Sequence, residues 1–192
     1  MSLRFKTIVF SVTIIMFFLA GMISCNKDNE KSITRIKCVT CANGGSCIND
    51  TCRCPVGYEG VSCQTQSRQK FLGSWQVFER GSASGTHNPY QVSIQSNGSF
   101  YAINSIYIMW LYNYGLPSSP YIDGYVSGDS IFIPSQQIDT KTIIGRGYIH
   151  SNSSFGQFGS ITMAYKVTDL VSGEVDDFGY SSSLDSPSIW NR

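Results

Sequence analysis

The chain has 192 residues, enough for one ordinary domain and a small module. Its net charge is +1 and only 14% of its residues are charged, so it lacks the clustered basic footprint that nucleic-acid binding requires. The many Gly, Tyr and Phe residues (18, 11 and 11) favour strands and turns over helices. Composition therefore excludes nucleic acid as a partner and predicts a protein built from β-structure.

The N-terminal segment predicts export. Arg4 and Lys6 precede an uncharged apolar run over residues 8–23, which ends at Ser24-Cys25. This is the layout of a secretory signal peptide, here residues 1–24. An uncleaved transmembrane anchor is the alternative, but a run of about 16 residues falls short of the roughly 20 that span a bilayer.

The end of this segment, residues 19–25, resembles the lipobox of bacterial lipoproteins, with Met22 where Leu is usual. The resemblance implies cleavage before Cys25, lipid on its thiol and attachment to the membrane through that lipid. Residues 25–37 then form the lipidated cysteine and a flexible tether. Lys27, followed by acidic residues, resembles the surface-export signal of Bacteroidetes lipoproteins, which implies the cell outer membrane, facing the exterior. A plain charged tether is the alternative.

Six of the seven cysteines crowd into residues 38–63, and the seventh is the lipidated Cys25. An exported segment this short needs cross-links, and its compartment allows disulfides. Six cysteines permit 15 pairings, among which spacing alone does not choose. A zinc site that includes Cys38 and Cys41 is the rival interpretation, but export and the lack of a nearby histidine disfavour it.

Residues 38–63 resemble the EGF-like module in Asn43-Gly44-Gly45, in Cys52-Arg53-Cys54 and in Gly57-Tyr58-Glu59-Gly60. The resemblance implies three disulfides, Cys38–Cys47, Cys41–Cys52 and Cys54–Cys63. The run before the first cysteine is basic rather than acidic, so we expect no calcium site. The module serves either as a rigid spacer or as a protein-binding unit, and we favour the spacer.

Residues 64–70 form a short polar linker, and residues 71–192 form the C-terminal domain. Its short apolar runs are separated by Gly, Ser, Asn and Asp, with hairpin signals at Ser96-Asn97-Gly98 and Ser127-Gly128-Asp129. This pattern predicts an antiparallel barrel or sandwich. The predicted strands are residues 75–80, 90–95, 100–108, 122–127, 130–134, 142–150, 160–168 and 175–180.

Strict alternation over residues 142–150 and 160–168 predicts one buried and one solvent-exposed face. Gly145 and Gly147 suggest strong bending, as at a barrel corner. Gly73-Ser74-Trp75 at the start of the first strand resembles lipocalin-like barrels, in which the Trp closes the barrel floor. The order of elements also resembles the barrel domains of bacterial surface lipoproteins.

The expected fold class is therefore all-β. A small disulfide-rich EGF-like module is followed by an antiparallel, lipocalin-like barrel of about eight strands, after an N-terminal signal segment. We expect Trp75 to pack in the barrel core, because a large aromatic side chain stabilises most when it is buried.

No catalytic constellation is recognisable in the sequence. His87 lies in a Gly- and Ser-rich loop and His150 ends a strand on its solvent-exposed face, so we expect both to be ordinary surface residues. There is no free cysteine nucleophile and no Gly-x-Ser-x-Gly elbow. We therefore expect no enzymatic activity, no cofactor and no metal.

An excess of aromatic residues over 101–125 is the one indication of binding, although core packing explains it too. The candidate ligand or partner contacts are Tyr107, Trp110, Tyr112 and Tyr114. The predicted function is that of a membrane-anchored, surface-exposed bacterial lipoprotein without catalytic activity, with a binding or structural role. The alternatives are a lipocalin-like carrier of a small apolar ligand and an accessory lipoprotein that binds a glycan or a partner protein.

Overall fold

The computed structural model describes residues 40–98, 102–112, 121–181 and 186–192. The signal segment, the tether, Cys25, Cys38 and Tyr114 lie outside these ranges. Residues from Ile36 to Arg192 belong to one compact unit, so the cysteine-rich segment and the C-terminal domain fold against each other. Within the described ranges, no helix has the length and apolar character to cross a membrane.

The cysteine-rich segment is a small β-hairpin cross-linked by disulfides. Strands β1 (Ser46–Ile48) and β2 (Thr51–Arg53) pair through the two-residue turn Asn49-Asp50, and both turn residues have positive φ (51° and 59°), as such hairpins require. The bridges Cys41–Cys52 and Cys54–Cys63 are formed, and these are pairings that the EGF-like resemblance implies. Cys47 is also disulfide-bonded. Its pairing with Cys38 stays a prediction, because Cys38 lies outside the described residues.

The predicted linker, residues 64–70, has regular structure. Strand β3 (Tyr58–Glu59) pairs with β4 (Thr65–Gln66), and a 3-10 helix, Ser67–Lys70, follows directly. The Lys70 ammonium lies 2.7 Å from Glu59 Oε2 and 2.5 Å from Asp129 Oδ1. Lys70 therefore connects the module to the β-hairpin that contains Asp129.

Eleven strands follow the 3-10 helix in the described residues. They are β5 (Gly73–Phe78), β6 (Arg80–Gly81), β7 (Gly85–Thr86), β8 (Tyr90–Ser96), β9 (Ser105–Met109), β10 (Tyr121–Ser127), β11 (Ser130–Ile138), β12 (Lys141–Asn152), β13 (Gly156–Asp169), β14 (Val175–Phe178) and β15 (Ser188–Asn191).

Eight of these strands close into an antiparallel barrel in the order β5-β8-β9-β10-β11-β12-β13-β15, and β15 pairs back onto β5. Each barrel strand therefore pairs with the barrel strand that precedes it in the sequence. The predicted all-β class and the antiparallel barrel of about eight strands are confirmed. The hairpin predicted at Ser127-Gly128-Asp129 is confirmed as well, since Ser127 pairs with Ser130.

Three strand predictions differ from the structure. The eighth barrel strand is β15, which has only four residues and was not predicted. The predicted strand 175–180 forms β14, which pairs with a different part of β13, beyond the residues that pair with β15. Strand β9 begins at Ser105 rather than at residue 100, so the turn that starts at Asn97 is longer than a two-residue hairpin.

The alternation of side-chain direction along each strand determines which residues form the barrel core. Ile143, Ile149, Ile161 and Met163 face inward and are buried, as predicted for β12 and β13. Gly145 and Gly147 face inward too. A Cβ on Gly145 would lie 2.8 Å from Tyr165 Cβ, and one on Gly147 would lie 2.7 Å from Met163 Sδ. These glycines make room for large side chains of the neighbouring strand.

Trp75 closes one end of the barrel. It is fully buried, as predicted, and its indole nitrogen donates a hydrogen bond of 2.7 Å to the Phe71 carbonyl. The guanidinium of Arg192 lies 4.4 Å from the Trp75 ring centroid and donates to the Lys70 and Phe158 carbonyls, at 2.9 Å each. The last residue of the chain therefore ties this end of the barrel to the 3-10 helix.

Candidate functional site

A buried carboxylate lies just past the other end of β5. Trp75, Val77 and Glu79 alternate inward, so the strand directs the Glu79 side chain into the barrel, where it is completely shielded from solvent. A charge buried in this way requires hydrogen-bonding partners. Four side chains donate to it: Tyr90 Oη (2.7 Å) and His87 Nδ1 (3.1 Å) to Oε1, and Tyr165 Oη (2.9 Å) and Ser188 Oγ (2.8 Å) to Oε2.

The direction of each hydrogen bond follows from its neighbours. Trp190 Nε1 donates to Ser188 Oγ at 2.8 Å, and the Tyr112 amide donates to Tyr90 Oη at 3.2 Å, so both hydroxyl protons are free to point at Glu79. A carboxylate has about four lone-pair sites, and four donors fill them. Glu79 is therefore a hydrogen-bond acceptor only.

The tyrosines beside Glu79 remain protonated donors. Burial, and then the charge of Glu79, raise the pKa of Tyr90 well above its usual value. Burial, together with Tyr90 and Glu79, likewise raises the pKa of Tyr165. Their phenol protons therefore stay in the network at neutral pH.

His87 links this network to the surface. Its Nδ1 donates to Glu79, so in the neutral ring Nε2 is an acceptor, and Ser84 Oγ lies 2.7 Å from it. Phe178 packs edge-on against the imidazole, with ring centroids 5.7 Å apart. The His87 side chain is only 6% exposed, so the prediction that it is an ordinary surface residue is wrong.

Ser84 lies in the turn between β6 and β7. Hydrogen bonds hold this turn against the Asp176 carboxylate. The amides of Ala83 and Ser84 donate to Asp176 Oδ1 at 2.9 and 3.2 Å, and Tyr112 Oη donates to Oδ2 at 3.2 Å. A Cβ on Gly81 would collide with both Asp176 Oδ1 and Ser84 Oγ. Only glycine at position 81 permits this close approach.

A cavity of about 140 Å³ opens beside Ser84. Three carboxylates and one lysine line it, and the lysine ammonium is paired with Asp169 Oδ2 at 2.7 Å. The cavity is therefore acidic overall. Its lining residues are Ala83, Ser84, Tyr112, Lys141, Val167, Asp169, Glu174 and Asp176.

We call these groups the polar end of the barrel: Glu79, Ser84, His87, Tyr90, Tyr112, Tyr165, Asp176 and Ser188. Only Tyr112 was among the predicted contact residues, and sequence reasoning did not bring the group together because Glu79 is 86 positions from Tyr165 and 109 from Ser188. The signal that was available is the alternation of Trp75 and Val77, which continues to Glu79 and places a carboxylate on an inward position.

A second candidate site lies on the outside of the barrel. We call it the aromatic face, formed by outward-pointing rings of β9–β12: Tyr107, Tyr121, Tyr125, Phe132 and Tyr148. The Tyr107 and Tyr121 ring centroids lie 5.0 Å apart, and Tyr125 stacks on Phe132, also at 5.0 Å. Tyr121, Tyr125 and Tyr148 are 48%, 40% and 52% exposed. Phe132, Tyr148 and the exposed Arg146 line a groove of about 270 Å³ on this face.

The predicted contact residues do not all belong to one site. Tyr107 belongs to the aromatic face, and Trp110 is 50% exposed just past β9. Tyr112 turns inward to Asp176 and therefore belongs to the polar end. Trp110 and Tyr112 have positive φ (63° and 55°), which is rare for bulky residues and marks the change in chain direction here. Tyr114 lies outside the described residues.

Two further residue predictions concern histidine and metal ligands. His150 lies on the outward side of β12, as alternation predicts, with its ring 5.2 Å from that of Tyr148. Across the described ranges, no group of three His, Cys, Asp or Glu side chains is arranged to hold a metal ion.

Comparison with known proteins gives one short similarity. The chain is 38% identical over 61 residues to the cadherin EGF LAG seven-pass G-type receptor 2 of Rattus norvegicus. The match covers 29% of this chain and 3% of that receptor, so the chain corresponds to a small part of its relative. No family model and no solved structure matches. Together with the two disulfides, the similarity supports an EGF-like, disulfide-rich region.

Proposed function

We propose that this chain is a lipid-anchored bacterial surface protein that binds a partner protein through the aromatic face of its barrel. Lipid on Cys25 attaches it to the outer membrane, and the tether and the EGF-like module precede the barrel in chain order. The lipobox-like ending at Cys25 and the Lys27 segment support the location. The polar end of the barrel is a separate site.

The exposure of the aromatic face carries the binding proposal. Protein interfaces are enriched in Tyr, Phe, Met and Arg, and the outward positions of β9–β12 present four tyrosines together with Phe132, Met109 and Arg146. Strands outside this face differ, because the outward positions of β5 and of β8, the neighbour of β9, include Ser74, Gln91 and Gln95. One side of the barrel therefore has the composition of an interface.

The packing of the rings favours binding as well. Tyr107 contacts Tyr121, and Tyr125 stacks on Phe132, so these side chains are already ordered before a partner arrives. Ordering a flexible side chain on binding costs about 0.5–1.5 kcal/mol, and a pre-ordered aromatic surface avoids much of that cost.

The interior weighs against the carrier alternative. An eight-stranded barrel is only wide enough for its own side chains or one small ligand. Here Trp75, Trp190, Tyr165 and Phe178 are fully buried together with aliphatic side chains from the seven barrel strands other than β15, which contributes Trp190. We therefore favour binding on the outer surface over transport of an apolar ligand inside.

Site-specific cross-linking in cells that make the full chain tests whether a protein binds to the aromatic face. A photoreactive benzoylphenylalanine at position 125 should yield a discrete protein adduct, whereas the same residue at position 74 on β5, across the barrel, should not. Tyr148→Ala should weaken binding of the identified partner by about 2 kcal/mol, the cost typical of a hot-spot residue. Adducts that contain only glycan, or equal adducts from both positions, would contradict a protein partner at this face.

Fractionation tests the anchor. Cys25→Ser should release the protein from the membrane fraction, and protease added to intact cells should digest the wild-type barrel. A Cys25→Ser protein that remains fully membrane-bound would exclude lipid attachment at this position. Complete protection of the wild type would exclude surface display.

A further inference from the structure

We propose that Ser84 is an activated nucleophile and that Ser84, His87 and Glu79 form an acyl-transfer site for uncharged or cationic esters. This site lies at the polar end of the barrel, apart from the aromatic face. The inference therefore does not depend on partner binding or on lipid attachment.

The three side chains form a continuous chain of hydrogen bonds. Ser84 Oγ lies 2.7 Å from His87 Nε2, and His87 Nδ1 lies 3.1 Å from Glu79 Oε1. Both distances are within the range of about 2.6–3.2 Å that joins a nucleophile to its base and that base to its orienting group. The order is that of a serine, histidine and carboxylate triad.

The hydrogen-bond partners around Glu79 and His87 suit the arrangement that the chemistry needs. Glu79 accepts from Tyr90, Tyr165 and Ser188 as well as from His87, so it remains an acceptor and orients the ring. The neutral imidazole therefore carries its proton on Nδ1, and Nε2 is available to accept the Ser84 proton. Ser84 itself is solvent-exposed and borders the cavity.

The reaction balances with water as the only co-reactant. Ser84 Oγ bonds to the ester carbonyl carbon while its proton passes to His87 Nε2. The bond from that carbon to the leaving oxygen then breaks, and His87 returns the proton to the departing alcohol, leaving an acyl-serine. A water molecule next gives its proton to His87 and its oxygen to the acyl carbon. Release of the carboxylic acid returns the proton to Ser84.

Asp176 limits the chemistry. The amides of Ala83 and Ser84 lie next to the nucleophile, but both donate to Asp176 Oδ1 and not to an incoming carbonyl. Stabilisation of the oxyanion is therefore weaker than in a site whose donors are free. The carboxylates of Asp169 and Glu174 add negative charge around the cavity and disfavour anionic esters. We expect acylation by reactive esters to be easier to detect than rapid turnover.

Acylation of the folded wild-type protein is the test. Incubation with 4-nitrophenyl acetate, a neutral ester, followed by peptide mass spectrometry should place the acetyl group on Ser84. Ser82 is the internal control, because it is exposed in the same turn and its Oγ lies near Val175 O (3.4 Å) and accepts from the Asp177 amide. General-base catalysis contributes about 10²–10⁴-fold, so Ser84 should react at least about 100-fold faster than Ser82.

Denaturation and substitution complete the test. Unfolding in urea should equalise the two serines, and His87→Gln should slow acylation of Ser84 by about 100-fold if circular dichroism shows that the variant folds. Gln95→Ala, an exposed position on β8 outside both sites, should leave the rate unchanged. Equal labelling of Ser82 and Ser84 in the folded wild type, or no adduct on Ser84, would overturn the proposal without reliance on any variant.

Discussion

The disulfide-rich module and the barrel are stabilised in different ways. Within residues 40–63 of the module, Cys63 alone is buried, and covalent bridges hold the segment together. The barrel has no cysteine, because all seven lie at or before position 63, and it is held by a continuous apolar core. A segment of about 25 residues cannot bury enough surface to fold unaided, whereas a domain of about 120 residues can.

The two parts nevertheless form one unit, and polar contacts connect them. Lys70 bridges Glu59 of the module and Asp129 of the barrel, and Arg68 Nη1 donates to the Ser105 carbonyl at 3.1 Å. The barrel core, the disulfides, the Glu79 network and the Lys70 ion pairs should therefore contribute separately to stability.

The largest effect should come from the barrel core. Trp75→Ala removes a fully buried ring at the closed end and should lower the free energy of unfolding by about 3–5 kcal/mol. Urea denaturation measures the change. Phe78→Ala is the control, because Phe78 is 45% exposed on the outer surface of the same strand and should cost much less. Equal losses would mean that the barrel does not depend on its interior in the way described.

Removal of a bridge should affect the module and spare the barrel. Replacing both Cys54 and Cys63 with Ser opens a short loop, which should destabilise the module by about 2–3 kcal/mol. Hydrogen exchange should accelerate at the amides of the module while protection of β12 and β13 is retained. Loss of protection throughout the barrel would show that the bridge also supports the core.

High pH should weaken the barrel through its buried tyrosines. Because the folded pKa values of Tyr90 and Tyr165 are raised, the unfolded chain loses these protons first, so stability is complete below about pH 10 and falls above it. The loss should reach about 1.4 kcal/mol for each tyrosine by pH 11. Denaturation curves measured between neutral pH and pH 11 would measure this loss.

Tyr90→Phe separates the tyrosines from other groups in that pH range. Burial tends to lower the pKa of Lys70, but hydrogen bonds to Asp129 and Glu59 outweigh it and raise the pKa, so Lys70 also contributes alkaline sensitivity. The variant should remove the share of Tyr90, while Tyr165 and Tyr112, whose pKa burial and Asp176 also raise, should keep theirs. If the pH dependence of stability is unchanged in this variant, the loss of stability at high pH does not come from the tyrosines that hydrogen-bond to Glu79.

The smallest effect on stability should come from the Lys70 ion pairs, which connect the module to the barrel. Lys70→Met removes both ion pairs and should cost about 1 kcal/mol, as partly exposed pairs usually do. Lys141→Met is the matched control, because it removes one ion pair within the barrel, to Asp169. Exchange at residues 67–70 should accelerate only in Lys70→Met. The same local change in both variants would mean that Lys70 is not the specific connection.

Local patterns in the sequence predicted much of the fold. Alternation in β12 and β13 identified the inward positions of Ile143 and Met163, and Trp75 was expected in the core, where it lies. Each of these features depends on neighbours along the chain, because side-chain direction alternates within a strand. The Cys41–Cys52 and Cys54–Cys63 disulfides are pairings that the EGF-like resemblance implied, whereas spacing alone left 15 pairings open.

The site depended on contacts that no local pattern contains. Glu79 is one carboxylate at the end of a strand until closure of the barrel brings Tyr165 and Ser188 to it, and Ser188 begins a four-residue strand too short to be predicted. Likewise, Tyr112 differs from Tyr107 only because the chain turns after β9. The sequence by itself determined most of the barrel strands, their inward and outward faces, and the cysteine-rich module. Only the tertiary structure decided which polar groups meet at the end of the barrel, because closing a barrel joins residues that are far apart in the chain.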